Sequence, residues 1–415
     1  MNLYFNRNFV LTYAASFISL FGSKLLMMSY LAYIFEARGS ATLASAVLAA
    51  EWGTCLVVGL FVSRYIDGMS AKRLLVGLNV LAAAVTMVFV TVIQPQLYPF
   101  AIAVIVVRAL LSHSVNSTRI KALVQFFSKE ETTLFSPVFN SSLFIATAVA
   151  GAVGVYILKF VTLTTVVYID AATFLIASGL FLFVNPNPER LAESIAAARD
   201  SEKGRLAYIR SAFGIIKANP KLASAVFYII LSVTSFQATY NVLMTVAPQI
   251  WFGLGKSGTA LFFTFESVFV TAGVFLYQFL NRRGLINDDN QRGLNLATVA
   301  FSTSVYLFIP QLQHNLLLCM VVLNTMVLSF ELIWTHQFKQ MIANIPPSKI
   351  AAVTGLQMAI GYSLMGVFAF AFSTGIDHFG ISTTIYLNAS LLVLLVAGWE
   401  YLTRNWVLVA MGTAS

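Results

Sequence analysis

The stretch FVLTYAASFISLFGSKLLMMSYLAYIF, Phe9 to Phe35, carries one charged side chain, Lys24, in an otherwise apolar or small-polar run. A helix rises 1.5 Å per residue, and about 20 apolar residues cross the hydrocarbon layer of a bilayer. The run is too long for the core of a cleaved leader, and no small-residue cleavage site follows it. It predicts a retained first membrane helix.

The rest of the 415-residue chain repeats this texture. Hydrophobic residues make up 59% and charged residues 10%, and mean hydropathy is +0.82. A soluble domain carries about a quarter charged residues. So apolar a chain could not cover a soluble surface, which excludes disorder and an ordinary soluble enzyme. Eleven further runs predict spans at Ala41–Val62, Leu74–Ile93, Tyr98–Leu123, Thr133–Leu158, Leu163–Val184, Leu222–Pro248, Gly258–Leu280, Leu294–Ile309, Leu316–Ile342, Ile350–Gly375 and Ser382–Leu402. Prolines such as Pro95, Pro186, Pro220 and Pro310 fall near predicted ends, where a missing N–H costs least. The runs do not alternate in polarity, which argues against a β-barrel. The expected fold is all-α and polytopic, with twelve transmembrane helices.

Net charge is +9, from 25 basic and 16 acidic residues. Nucleic-acid binding is one source of such an excess; basic loops on the cytoplasmic side of a membrane are another, and the distribution favours the second. With the N-terminus inside, the inner loops and helix ends hold Arg7, Arg64, Lys72, Arg73, Arg119, Lys121, Lys129, Arg282, Arg283, Arg292, Lys339, Lys349, Arg404 and a basic run between Arg190 and Lys221. The outer loops hold Arg38, Lys159 and Lys256. This asymmetry predicts a multi-pass protein of a bacterial inner membrane with both termini cytoplasmic.

The longest polar stretch separates six spans from six. The expected organisation is an N-terminal bundle over 1–184, a cytoplasmic linker over 185–220 and a C-terminal bundle over 221–415. Asn187-Pro188-Glu189 has the pattern of an N-cap, a first-turn proline and a first-turn acid, so an amphipathic helix lying along the membrane face is expected in the linker. The halves echo each other. Glu51 and Gly59 precede Arg64 in the second span, and Glu266 and Gly273 precede Arg282 and Arg283 in the eighth. That echo fits two pseudo-symmetric six-helix bundles.

Gly59-Leu-Phe-Val-Ser63-Arg64-Tyr-Ile-Asp67, followed by Lys72-Arg73, is similar to the G-x-x-x-D-R-x-x-x-R-K signature of the major facilitator superfamily. Arg108 resembles that superfamily's buried arginine of the fourth helix. Ala122-Leu123-Val124 through Lys129-Glu130-Glu131 to Asn140-Ser141-Ser142-Leu143-Phe144, and Ile169-Asp170-Ala171-Ala172-Thr173-Phe174, resemble the enterobactin-exporter and macrolide-efflux branch. The resemblance implies alternating access, a cavity lined by helices 1, 4, 7 and 10, and a charge latch at the inner gate formed by Gly59, Arg64, Asp67, Lys72 and Arg73. Two positions depart from the pattern. Ser63 replaces an aspartate, and Gly151-Ala152-Val153-Gly154 lacks the proline of the Gly-Pro-x-x-Gly motif associated with antiport.

Charges at membrane depth are costly unless they are paired or face water. Lys24, Glu51, Arg108, Asp170, Glu266 and Glu331 stand in that position. Lys24 and Arg108 could form a cationic cavity for an anionic or chelating solute, or be neutralised by Glu51 and Glu331; both readings stand. Glu331 is the first candidate for a proton carrier, followed by Glu51 and Glu266, because a carboxylate in a partly dry cavity can titrate as access alternates. Asn324, Glu331 and Thr335 share one helix face. Gln237, Tyr240 and Asn241, with His113, Asn116 and Ser117, are candidate solute contacts, although polar groups also bind helices together in lipid. His336 reads as an inner-end histidine hydrogen-bonded to backbone.

No H-E-x-x-H motif or Walker loop occurs, and the four histidines show no ligand spacing. Cys55 and Cys319 lie in apolar runs, so no disulfide is expected. Neither a metal nor a cofactor is expected, and no enzyme activity. The function predicted is secondary active transport, proton-coupled, of a small siderophore-like or drug-like solute, by a monomer whose partners are the solute, protons and the lipid bilayer, with no nucleic acid. Branch resemblance favours efflux. Proton-driven import of an anionic nutrient or iron-siderophore is the alternative, and a non-transporting membrane sensor a remote one.

Overall fold

The computed structural model describes residues 6–62, 65–66, 69–193, 205–286, 291–345 and 350–412. Among these residues, ten helices are long and apolar enough to cross a membrane, and two shorter apolar stretches, Ala41–Val57 and Ile145–Ile157, accompany them. The chain divides into two compact units, Met1–Glu202 with Met244–Ser267, and Lys203–Leu243 with Val268–Ser415.

In the first unit, α1 spans Arg7–Arg38, α2 Ala41–Val57, α3 Ala71–Val92, α4 Tyr98–Phe126, α5 Lys129–Ile157 and α6 Leu163–Leu182. Their ends follow local chemistry. Asn6 Oδ1 accepts from Phe9 N at 3.1 Å and Ser40 Oγ from Leu43 N at 3.2 Å. Ser128 and Glu131 form a reciprocal capping box, so orphan amides are satisfied at each start. Gly39 ends α1 with φ 64°, a left-handed cap that glycine adopts without penalty, so α1 and α2 are joined by only Gly39 and Ser40. The α2 span continues as a π-helical turn over Val58–Val62.

The principal neighbours of α1 are α5 and α6, while those of α4 are α2 and α3. Phe9, Phe127 and Phe135 pack at one end of the unit, with ring centroids 4.4 Å apart for Phe9–Phe135 and 5.0 Å for Phe127–Phe135. The loop before α3 is held from α4. Lys121 Nζ donates to the carbonyls of Ile66 and Met69, each at 2.6 Å, and Gln125 Oε1 accepts from Ala71 N at 2.8 Å.

Helix α7 spans Arg205–Ala218, α8 Pro220–Leu231, α9 Thr239–Ile250, α10 Gly255–Arg282, α11 Gln291–Phe308, α12 Leu316–Ala343, α13 Ile350–Phe379 and α14 Ile381–Gly412. Asn219 Oδ1 caps α8 at Lys221 N and Leu222 N, 3.0 and 3.2 Å away, with Pro220 in its first turn. The α7 residue Ala212 is buried with Leu222, Met341 and Val353 in the second unit.

A π-helical turn, Ser232–Ala238, joins α8 to α9. Such turns widen the backbone and frequently mark functional sites. Here the Ser235 carbonyl accepts from Thr239 Oγ1 at 2.8 Å and Tyr306 Oη at 3.1 Å. Thr239 and Tyr306 are themselves joined by a short hydrogen bond. Asn187 does cap a helical turn starting at Pro188, accepting from Glu189 N and Arg190 N at 3.1 and 3.3 Å. Most of the linker helix expected beyond it lies outside the described residues.

Candidate functional site

In the first unit, the core of α1, α4 and α6 is built on a buried ion pair. Arg108 Nη2 and Nε donate to Asp170 Oδ2 at 2.6 and 3.2 Å. Asp170 is fully buried, and Ser23 Oγ donates to its other oxygen at 3.3 Å. The Phe174 ring lies 5.8 Å from the Arg108 guanidinium carbon. Gly22 makes this approach possible: a Cβ there would sit 2.1 Å from Thr173 Oγ1 and 2.9 Å from Asp170 Oδ1. Arg108 is thus compensated by Asp170, rather than by the Glu51 or Glu331 weighed from sequence. The 62-residue separation of this pair gave no local signal of it.

Lys24 and Glu51 are half-buried. Neither side chain has a hydrogen bond or ion-pair partner among the described residues, and charges left in that state on long apolar helices require access to water or a ligand. His113 Nε2 lies 2.9 Å from the Glu51 carbonyl, and its ring also contacts Cys55 Sγ, 3.2 Å from Nδ1.

Arg119, counted from sequence among the inner-side charges, is not a surface residue. It is 5% exposed. Nη1 donates to Asn116 Oδ1 at 2.8 Å, and Nη2 donates to Ser19 on α1 through a short hydrogen bond. Asn116 Oδ1 is therefore engaged by Arg119. Eleven residues make about three helical turns, so the Arg108–Arg119 spacing was the available signal that both point the same way.

In the second unit, Glu331 on α12 is 7% exposed. Its one hydrogen bond among the described residues is a long one from Thr335 Oγ1 at 3.5 Å, the i, i+4 neighbour that sequence placed on the same face. Gly273 on α10 lets α12 come close: a Cβ there would lie 3.0 Å from Glu331 Cβ and 3.1 Å from Glu331 Cγ. Tyr240 Oη donates to Asn324 Oδ1 at 2.6 Å, joining two expected solute contacts across α9 and α12. Asn241 Nδ2 donates to the Gln237 carbonyl at 2.7 Å. His336 is fully buried, with Tyr277 Oη 3.4 Å from Nδ1, so its side-chain neighbour is a tyrosine on α10. Glu266, in the Met244–Ser267 segment, is 9% exposed.

Of the expected gate, Gly59 lies in the π-helical turn after α2, and Lys72 and Arg73 lie in the first turn of α3. Arg64 and Asp67 lie outside the described residues.

The family model described as Major Facilitator Superfamily matches residues 12–370. The chain belongs to the major facilitator superfamily. It is accordingly a polytopic membrane transporter rather than a catalyst. The nucleoside transporter NupG superposes with a TM-score of 0.67 at 14% identity, over 97% of this chain and 99% of that one. A POT family transporter in complex with 5-aminolevulinic acid gives a TM-score of 0.71 at 9% identity, over 96% of both chains. Identities this low show the shared fold alone. No curated protein matches the sequence.

Proposed function

We propose that this superfamily member is a proton-coupled secondary transporter that exports a small organic solute, siderophore-like or drug-like, by alternating access. Twelve spans in two pseudo-symmetric bundles would lie in a bacterial inner membrane, both termini cytoplasmic, in a monomer. The observation that carries proton coupling is Glu331. A buried carboxylate held by one long hydrogen bond is costly when ionised and cheap when neutral. A cavity that alternately wets and dries it would bind and release a proton. Glu51 and Glu266 are the reserve carriers.

The solute-facing set is Lys24, Arg108 with its free Nη1, His113, Asn116, Gln237, Tyr240, Asn241 and Asn324. Gly59, Arg64, Asp67, Lys72 and Arg73 would latch the inner gate. A second reading, import of an anionic solute, is favoured by the uncompensated Lys24 and by the departures at Ser63 and Ala152. The direction of pH-driven flux of a candidate siderophore in oriented vesicles separates the two.

Proteoliposomes with an imposed pH gradient test the coupling. Glu331→Gln is expected to retain solute binding and exchange while losing gradient-driven accumulation by tenfold or more (on the order of 1.4 kcal/mol), since an amide cannot titrate. Full accumulation in that variant would move the carrier elsewhere.

A further inference from the structure

We infer that Arg119, with Ser16 and Ser19 of α1, forms an oxyanion-binding site inside the N-terminal unit, distinct from the Arg108–Asp170 pair and suited to the carboxylate of an organic solute. A buried arginine is ordinarily matched by a carboxylate, because taking a guanidinium out of water costs several kcal/mol. Arg108 meets that rule and Arg119 does not. Among the described residues it has no acidic partner within ion-pair distance. Its hydrogen bonds go to a neutral amide and a neutral hydroxyl.

The pattern of used and unused donors gives the site its shape. Nη1 is committed to Asn116 and one Nη2 hydrogen to Ser19, but Nε is buried with no hydrogen-bond partner. The edge formed by Nε and the second Nη2 hydrogen is the one that receives a two-oxygen acceptor side-on. Ser16, one turn before Ser19 on α1, is fully buried, and its hydroxyl likewise has no partner; Thr12, a further turn back, repeats this. Thr12, Ser16 and Ser19 fall at i, i+4 and i+7, one face of α1. Polar groups orphaned in an apolar interior cost about 1–3 kcal/mol each, and an oxyanion on the Arg119 edge would satisfy Nε and, one turn from Ser19, Ser16. The principal packing partners of α1 and α4 lie on other helices, so here the two are bridged by side chains.

The site does not depend on proton coupling by Glu331, so it is tested without a gradient. Thermal unfolding of the purified full chain in detergent is followed against benzoate, inorganic phosphate, the neutral isostere benzamide and chloride at matched ionic strength. Benzoate is expected to raise Tm saturably, and benzamide and chloride are not. A response to benzoate above phosphate assigns an organic carboxylate, and the reverse order assigns a phosphate group. Arg119→Gln is expected to weaken the apparent affinity about tenfold or more. Arg119→Lys restores only part, having charge without the fork. Arg38→Gln, at the exposed end of α1, leaves the ratio of benzoate to benzamide response unchanged. If Arg119→Gln does not fold, Ser16→Ala decides, with an affinity loss of several-fold at unchanged basal Tm. No oxyanion response in the wild-type chain, or equal responses in wild type and these variants, overturns the inference. Loss of coupling in Glu331→Gln with the benzoate response intact would leave both readings standing separately.

Discussion

Asp170 has no exposure and accepts two hydrogen bonds from Arg108 and one from Ser23. Removing one partner of such a pair leaves an uncompensated buried charge, whereas replacing both leaves none. Asp170→Asn is therefore expected to destabilise the protein by about 3–5 kcal/mol, and Asp170→Leu combined with Arg108→Met to recover most of that loss. Thermal unfolding in detergent, with transport assayed on the same preparations, checks it. If the double variant is no more stable than Asp170→Asn, the cost lies in packing against Phe174 rather than in charge. The single residues at membrane depth were legible because a charge in an apolar run needs a reason. Their partners were not, because pairing across helices leaves no local pattern. Glu331 and Thr335 were the exception, four apart on one helix. The burial of Arg119 was not legible because nothing local shows that α1 covers it with Ser19.

At the scale of elements, hydropathy placed the spans well. Ala41–Val62 coincides with α2 and its π-helical turn, and Leu316–Ile342 falls one residue short of α12. Hydropathy could not show the π-helical turns, since Val58–Val62 is apolar throughout and hydrogen-bond register leaves no mark in it. Nor could it show why α5 carries Gly151 and Gly154. The structure supplies a reason: a Cβ at Gly151 would lie 2.4 Å from Thr264 Oγ1 and 2.9 Å from the Ala260 carbonyl of α10, and one at Gly154 would lie 3.1 Å from Ala260 Cβ. Small residues let helix backbones approach where lipid supplies no hydrophobic drive. Gly151→Val is thus expected to push α10 off α5 and destabilise by about 1–3 kcal/mol or more. Gly53→Ala, which meets nothing within 4 Å, is expected to be near neutral apart from helix propensity. Equal unfolding temperatures for the two variants would remove the packing role of Gly151. The missing proline at Ala152 does not change this contact, which depends on the glycines.

For the whole molecule, the remaining question is how many times the chain crosses the bilayer. Ten helices meet the length and hydropathy of a span among the described residues, and Ala41–Val57 and Ile145–Ile157 are shorter. Each short stretch belongs to a longer helix: α2 continues through a π-helical turn to Val62, and α5 runs from Lys129 to Ile157. Helices of that length can cross a bilayer with some tilt. Twelve crossings place Lys256 outside and Asp200 inside; losing either short span would reverse the side of everything after it. The chain suits a labelling test, because its cysteines are only Cys55 and Cys319, both free. In a background with Cys55→Ser and Cys319→Ala, a membrane-impermeant maleimide on intact cells is expected to label Lys256→Cys but not Asp200→Cys, and to label Asp200→Cys after permeabilisation. A reporter fused after Ser415 is expected on the same side as residue 200. Labelling of Asp200→Cys in intact cells would invert the arrangement that the basic loops predict. Labelling of both positions would leave an even number of crossings between them and rule out two six-helix bundles.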